Sequence, residues 1–192
     1  MTTKDSPYYK SANLIRIFRK VHRQIAIVLF AFFALIALTG LLLGWKKNTF
    51  GIILPPSSKG ISSDLQTWLP FDSLQRIAVR TLHDSVSPNL SDELDRIDAR
   101  PQHGMVKFVF TDDYWEVQLD GTTGEVLLVA RRRSDFIENI HDGTILDVLF
   151  NTKGDPFKLS YTSIMGLSLL TLVVSGFWLW YGPKRLRKRR MH

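Results

Sequence analysis

Two uninterrupted apolar stretches stand out in a chain of otherwise mixed polarity. Residues 25–44 read IAIVLFAFFALIALTGLLLG and residues 159–181 read LSYTSIMGLSLLTLVVSGFWLWY, and neither stretch contains a charged residue. A bilayer's hydrocarbon core is about 30 Å thick and takes about 20 helical residues at ~1.5 Å rise each. Both stretches meet that length, so the pattern predicts two transmembrane helices, over residues 24–45 and 159–181. Everything between them, residues 46–158, is then one extramembrane domain.

Inside that domain the periodicity changes twice. The segment GIILPPSSKGISSD carries Pro55 and Pro56, which exclude a helix there. In FDSLQRIAVRTLHDSV the apolar residues Leu74, Ile77, Ala78, Leu82 and Val86 recur at helical spacing. Asp72 is placed to cap this helix and Pro88 to end it. Strand signals follow: Leu94 and Ile97, then alternation through Val106, Phe108 and Phe110, then Val117 and Leu119, then Val126 and Leu128. Asp120-Gly121 and Thr123-Gly124 supply turn residues between the last two strands. The fold class expected is membrane α+β, with two transmembrane helices flanking a domain of one helix and about four antiparallel strands. Residues 135–150 read as a short amphipathic segment lying on the outer membrane surface through Ile137, Ile140, Ile145, Leu146 and Leu149. Gly154 and Pro156 break the chain before the second span.

Charge orients the two spans. The net charge is +7, and the basic residues cluster outside the apolar runs. Lys10, Arg16, Arg19, Lys20 and Arg23 precede the first; Lys184, Arg185, Arg187, Lys188, Arg189 and Arg190 follow the second. Positive residues stay on the cytoplasmic side, so residues 1–23 and 182–192 are both cytoplasmic and the central domain faces outward. Such juxtamembrane clusters attract anionic lipid, and we expect no nucleic-acid partner. Residues 1–13 read as loose. Leu14, Ile15, Ile17, Phe18 and Val21 form an interfacial helix running into the first span, an uncleaved signal-anchor. Trp45, Lys46 and Lys47 mark one interface, and Trp178, Trp180 and Tyr181 the other. The chain has no cysteine, which excludes disulfides, thiolate metal sites and dithiol redox chemistry. No metalloprotease, nucleophile-elbow, phosphate-loop or dinucleotide motif is present, and no catalytic residue is assigned.

At this point an ordered set of motifs comes together. The hairpin EVQLDGTTGEVL, with Asp120, Thr123, Gly124, Glu125 and Val126, resembles the closing motif of the PepSY domain. Arg19, Lys20, His22 and Arg23 lead into a span ending Leu38-Thr39-Gly40. Ile140, His141 and Gly143 precede a span ending in Ser175, Gly176, Trp178, Leu179 and Trp180. From about residue 16 to 183 this order is similar to that of the PepSY-associated transmembrane family. The resemblance implies a bacterial inner-membrane protein with a periplasmic PepSY domain. Larger, four-span members resemble ferric-siderophore reductases that carry b-type haem on histidines; this chain has two spans.

That resemblance turns attention to His22 and His141 as axial ligands of haem b, the only metal site we expect. His22 begins the first span and His141 lies before the second, on the opposite side, so the two cannot share one iron. A second chain would supply each partner ligand. Gly40 and Gly44 form a GxxxG motif that suits close helix packing in a homodimer. Ser160, Thr162, Ser163, Ser168, Thr171 and Ser175 give the second span a polar side, read as a packing face. Two functions stay open. One is a haem-binding electron-transfer subunit, acting as a homodimer or within a larger redox or iron-uptake complex. The other is a non-enzymatic accessory subunit whose PepSY domain binds a partner protein, with structural histidines. A peptidase-inhibitor role rests on the domain association alone. His83, His103 and the carboxylates Asp112, Asp113 and Glu116 are expected at the solvated surface.

Overall fold

A computed structural model describes the backbone of residues 7–190 and the side chains of residues 12–185. His192 and the side chains of Lys10 and of the basic residues from Arg187 onward lie outside the described residues. Contacts gather the chain into two units, residues 1–39 with 140–192 and residues 40–139.

In the second unit, the alternation Val106, Phe108, Phe110 puts three apolar side chains on one face of a strand. The amphipathic segment supplies the matching face. Helix α2 (Phe71–Ser85) lays Leu74, Ala78 and Leu82 on a four-stranded antiparallel sheet. Its strands, β1 (Leu94–Arg100), β2 (Met105–Phe110), β3 (Trp115–Asp120) and β4 (Val126–Arg131), lie in sequence order. Val106 pairs with Leu119 and Phe108 with Val117, so their side chains share the face that meets α2. Burying each such side chain stabilises by about 1.5–3 kcal/mol, which makes this layer the core of the unit. The edge strand β1 carries Asp95, Arg96, Asp98 and Arg100, charges that discourage pairing with another chain's strand.

The helix starts differently from the sequence expectation. Its N-cap is Pro70, with no side-chain cap bond, and Asp72 sits inside the first turn paired to Arg76 at 2.9 Å. Pro70 contributes only its carbonyl, which accepts from Ser73 N–H (3.0 Å) and Leu74 N–H (3.1 Å), so the helix begins without a side-chain cap. The end comes at Val86, two positions short of Pro88.

The opposite sheet face is closed by a strap of residues 52–62. Ser58 N–H donates to Gln118 Oε1 (2.9 Å), Gln118 Nε2 donates to the Pro56 carbonyl (2.8 Å), and Ile61 N–H donates to Asp120 Oδ2 (2.6 Å). Beneath it runs a chain of buried charge. Glu116 is 0% exposed, Lys107 2%. Glu116 meets Lys107 Nζ at 3.6 Å and Arg132 at 2.7 Å; Arg132 also reaches Asp135 at 2.9 Å, which takes Arg96 at 2.6 Å. Glu116 is therefore not the solvated turn carboxylate expected from sequence. Its neighbours Asp112 and Asp113 are exposed, accepting from Ser91 N–H and pairing with Arg131 respectively.

The first unit contains the long helices α1 (Pro7–Trp45) and α5 (Pro156–Arg190). In their most apolar windows only 6% and 11% of residues are buried within the chain. Apolar helices this bare need an apolar surround, which identifies them as membrane helices rather than core helices. Residues 7–13, expected to be loose, begin α1, because the spacing of Leu14, Ile15 and Phe18 continues the helix of the span without a break. Helix α5 likewise runs on through Pro183. Between the spans, residues 135–150 form two helices, α3 (Arg133–Asp142) and α4 (Thr144–Phe150), parted at Gly143. The α4 carboxylate of Asp147 accepts from Phe157 N–H (3.1 Å) and Lys158 N–H (2.7 Å), capping the start of α5.

Candidate functional site

Helices α1 and α5 meet along a seam that recurs every three or four residues. Phe32 packs edge-on to Tyr161 (6.3 Å between rings), Phe18 tilts on Trp178 (6.0 Å), and Ile15 lies where a side chain on Gly182 would stand, 3.1 Å away. The pairs run in opposite senses along the two helices, so α1 and α5 are antiparallel. Their basic ends, Arg16 to Arg23 and Lys184 to Arg185, therefore lie at the same end of the pair.

Both candidate histidines sit in this unit, each against a hydroxyl. His22 Nδ1 is 2.8 Å from Ser175 Oγ, across the seam. Helix α3 brings His141 Nδ1 to 2.9 Å from Thr39 Oγ1. Ser175 is 0% exposed and Thr39 6%. Each hydroxyl also bonds back one turn along its own helix, Ser175 to the Thr171 carbonyl at 2.6 Å and Thr39 to the Leu35 carbonyl at 2.7 Å. From His22 to Thr39 helix α1 climbs about 26 Å, so the histidines mark two separate sites, as the sequence implies.

Gly143 makes the arrangement around His141 possible. Its φ of +84° is a left-handed conformation, and a Cβ there would stand 2.9 Å from the Tyr161 ring. A side chain at this position would be strained twice over, by torsion and by contact. Glycine lets the chain turn from α3 to α4 directly beneath that ring, just after His141.

Two buried polar atoms in the unit have no partner among the described residues: Tyr161 Oη and Trp178 Nε1. Neither histidine Nε2 has a hydrogen-bond partner among those residues, and both rings belong to half-buried residues. The donor set suits haem iron, which needs one or two axial imidazoles and no chelating cluster. A self-contained metal site is another matter: no group of three His, Asp or Glu side chains that could hold an ion occurs among the described residues.

Other expectations fare differently. Of the polar side of the second span, only Ser175 is buried; Ser160, Thr162, Ser163 and Thr171 are exposed and Ser168 half-buried. The seam uses Ser175 together with Tyr161, Trp178 and Gly182, positions the hydroxyl pattern does not pick out. Gly44 is exposed with nothing within 4 Å of a Cβ placed there, and Gly40 is half-buried. His83 is half-buried, 2.9 Å from Asp92, rather than freely solvated. The half-buried His103 ends a 3-10 turn, and its carbonyl takes the Gly60 N–H. Thr39 was visible in the sequence only as part of the Leu38-Thr39-Gly40 motif, and Tyr161 only as one residue of the second apolar stretch.

No curated protein matches the chain in a similarity search. The family model described as the PepSY-associated TM region matches residues 19–192, which takes in α1 from Arg19 onward, α5, both candidate histidines and the four-stranded sheet, and the chain belongs to that family.

Proposed function

We propose that the protein is a b-type haem-binding electron-transfer subunit of a bacterial inner membrane, acting as a homodimer or inside a larger redox or iron-uptake complex. The observation that carries this reading is the placement of His22 and His141. Each ring is held to a buried hydroxyl at one end of a membrane helix pair, about 26 Å apart along α1. Imidazoles held at two depths suit two one-electron centres, one towards each face of the membrane. Haem, when bound, supplies reversible one-electron chemistry. The chain's own residues would hold and orient it: His22 and His141 would offer imidazole nitrogens, each ring steadied by a buried hydroxyl. A second copy or another subunit supplies each remaining ligand, and the bare surface of α1 around Gly44 gives it a place to pack.

In this reading the basic ends of α1 and α5 lie in the cytoplasm, by the positive-inside rule. The α2–sheet unit is then the periplasmic PepSY domain and docks the redox partner. A second reading, an accessory subunit without haem, is favoured by one feature: an apolar groove on that unit lined by Leu65, Trp68, Leu69 and Phe71. There the histidine bonds serve only as packing between helices.

A reduced-minus-oxidised visible spectrum of detergent-purified protein, expressed with ample haem, separates the two. A b-type band near ~560 nm, lost in His22→Ala and His141→Ala, supports the electron-transfer reading. Colourless protein after purification, with or without its membrane partners, overturns it in favour of the accessory role.

A further inference from the structure

We infer that Thr39 and Ser175 are positioning residues that fix His141 and His22 as Nδ1–H tautomers and leave Nε2 of each as the nitrogen for a metal. The inference rests on the haem reading for its purpose, but its chemistry follows from proton accounting. A hydroxyl has one proton and two lone pairs. Ser175 Oγ lies 2.6 Å from the Thr171 carbonyl oxygen, and Thr39 Oγ1 lies 2.7 Å from that of Leu35. Two oxygens that close, with no proton between them, repel; each separation is that of an O–H···O bond. The only hydroxyl proton is therefore spent on the helix carbonyl. What remains at each oxygen are lone pairs, and these face Nδ1 of His22 at 2.8 Å and of His141 at 2.9 Å. The imidazoles must be the donors.

In a neutral imidazole one nitrogen carries the proton and the other the lone pair. With Nδ1–H committed to the hydroxyl, the lone pair sits on Nε2. That nitrogen has no hydrogen-bond partner among the described residues, and both histidines are half-buried. Metal-ligating histidines show the same division of labour, with the distal N–H given to an acceptor that sets tautomer and ring orientation. The same device occurs twice, on different helices and with different hydroxyl residues. Packing of two spans needs a hydroxyl–imidazole bond of either polarity; presenting two Nε2 lone pairs needs this one.

The test is nitrogen NMR of the full chain in detergent, with 15N-labelled histidine, without haem and at mildly alkaline pH. His22 and His141 should both report a protonated Nδ1 and a bare Nε2. Thr39→Val, which keeps the shape and removes the acceptor, should mix the tautomers of His141 only. Ser175→Ala should do the same for His22 only, and Thr39→Ser should restore the wild-type pattern. With haem added, Thr39→Val should weaken binding at the His141 site by about 10-fold or more and raise that centre's midpoint potential. Protonated Nε2 in the wild type, or unaltered tautomers in the variants, overturns the inference whether or not haem binds. Wild-type protein that takes up no haem while showing the Nδ1–H pattern overturns the haem reading and leaves the tautomer assignment standing. Wild-type protein that binds haem with an affinity indifferent to Thr39→Val and Ser175→Ala overturns the positioning role alone.

Discussion

His141 Nδ1 lies 2.9 Å from Thr39 Oγ1, a hydrogen bond that ties the end of helix α3 to a hydroxyl on helix α1. Side-chain hydrogen bonds in membrane proteins couple by about 0.6 kcal/mol on average and about 1.7 kcal/mol at most. A double-mutant cycle with Thr39→Val and His141→Phe should give a coupling in that range, read from unfolding of the full chain in mixed micelles. Additive effects would mean that the bond does not hold in the lipid-like phase.

Gly143→Ala should destabilise by two separable mechanisms. The left-handed backbone costs a residue with a Cβ about 1–2 kcal/mol, and the Cβ would press on Tyr161 from 2.9 Å. In a Tyr161→Ala background the contact disappears and the torsional cost remains. The penalty of Gly143→Ala in the double variant should therefore fall without reaching zero. Haem-independent unfolding midpoints measure both values.

How much of this could be read from the sequence differs sharply between the two sheet faces. The α2 face was legible because Val106, Phe108 and Phe110 alternate and Leu74, Ala78 and Leu82 match them at helical spacing. The two outer strands form where expected, but each pairs with a register shift, and Leu94 and Val129, not Ile97 and Leu128, pack against the core. The other face was not, because Lys107, Glu116 and Gln118 carry the polarity of solvent-facing residues. They are buried by a strap that arrives from residues 52–62, and nothing in local periodicity announces it. The histidines were legible as motif residues. Their hydroxyl partners were not: six hydroxyls line the second span in sequence, and only the pairing of two helices singles out Ser175. The cap on α5 was hidden for the same reason, since Asp147 belongs to the preceding helix.

The buried charges under that strap should respond unequally to removal. Burial holds the Lys107 ammonium below its ordinary 10.5, with Glu116 opposing the shift. A base whose folded value is lowered destabilises the fold while charged, and that cost eases as pH rises towards 10.5. Lys107→Met should therefore be neutral or stabilising, within about 1 kcal/mol, because Glu116 keeps Arg132 and Gln118. Arg132→Met strips Glu116 and Asp135 of their shared guanidinium and should cost about 3–5 kcal/mol. Chemical unfolding of the two variants beside wild type gives the comparison; equal losses would mean the network is solvated.

Acid should loosen the same unit through Asp120. Burial alone would raise its pKa, but the N–H groups of Thr123 (2.9 Å), Ile61 (2.6 Å) and Thr122 (2.7 Å) outweigh it and hold the carboxyl below its ordinary 3.8. A carboxylate bound more tightly to the folded than to the unfolded state adds stability that is fully present above 3.8. That contribution is lost as pH falls below 3.8, through the lower folded value. Protonation replaces a lone pair facing Ile61 N–H with a competing proton, which should release the strap before the α2 core gives way. Asp120→Asn removes the titration and sets an amide N–H₂ or a single carbonyl against three donors. Its melting midpoint should lie below wild type at neutral pH and change less than wild type from about pH 6 to about pH 2. Amide exchange at Ile61 and Gly60 should rise in step with the wild-type loss, while Leu82 and Phe108 stay protected. Parallel acid profiles for the variant and the wild type would assign the acid sensitivity to Asp135 and its arginines instead, since that carboxyl is also held low, against burial, by Arg132 and Arg96.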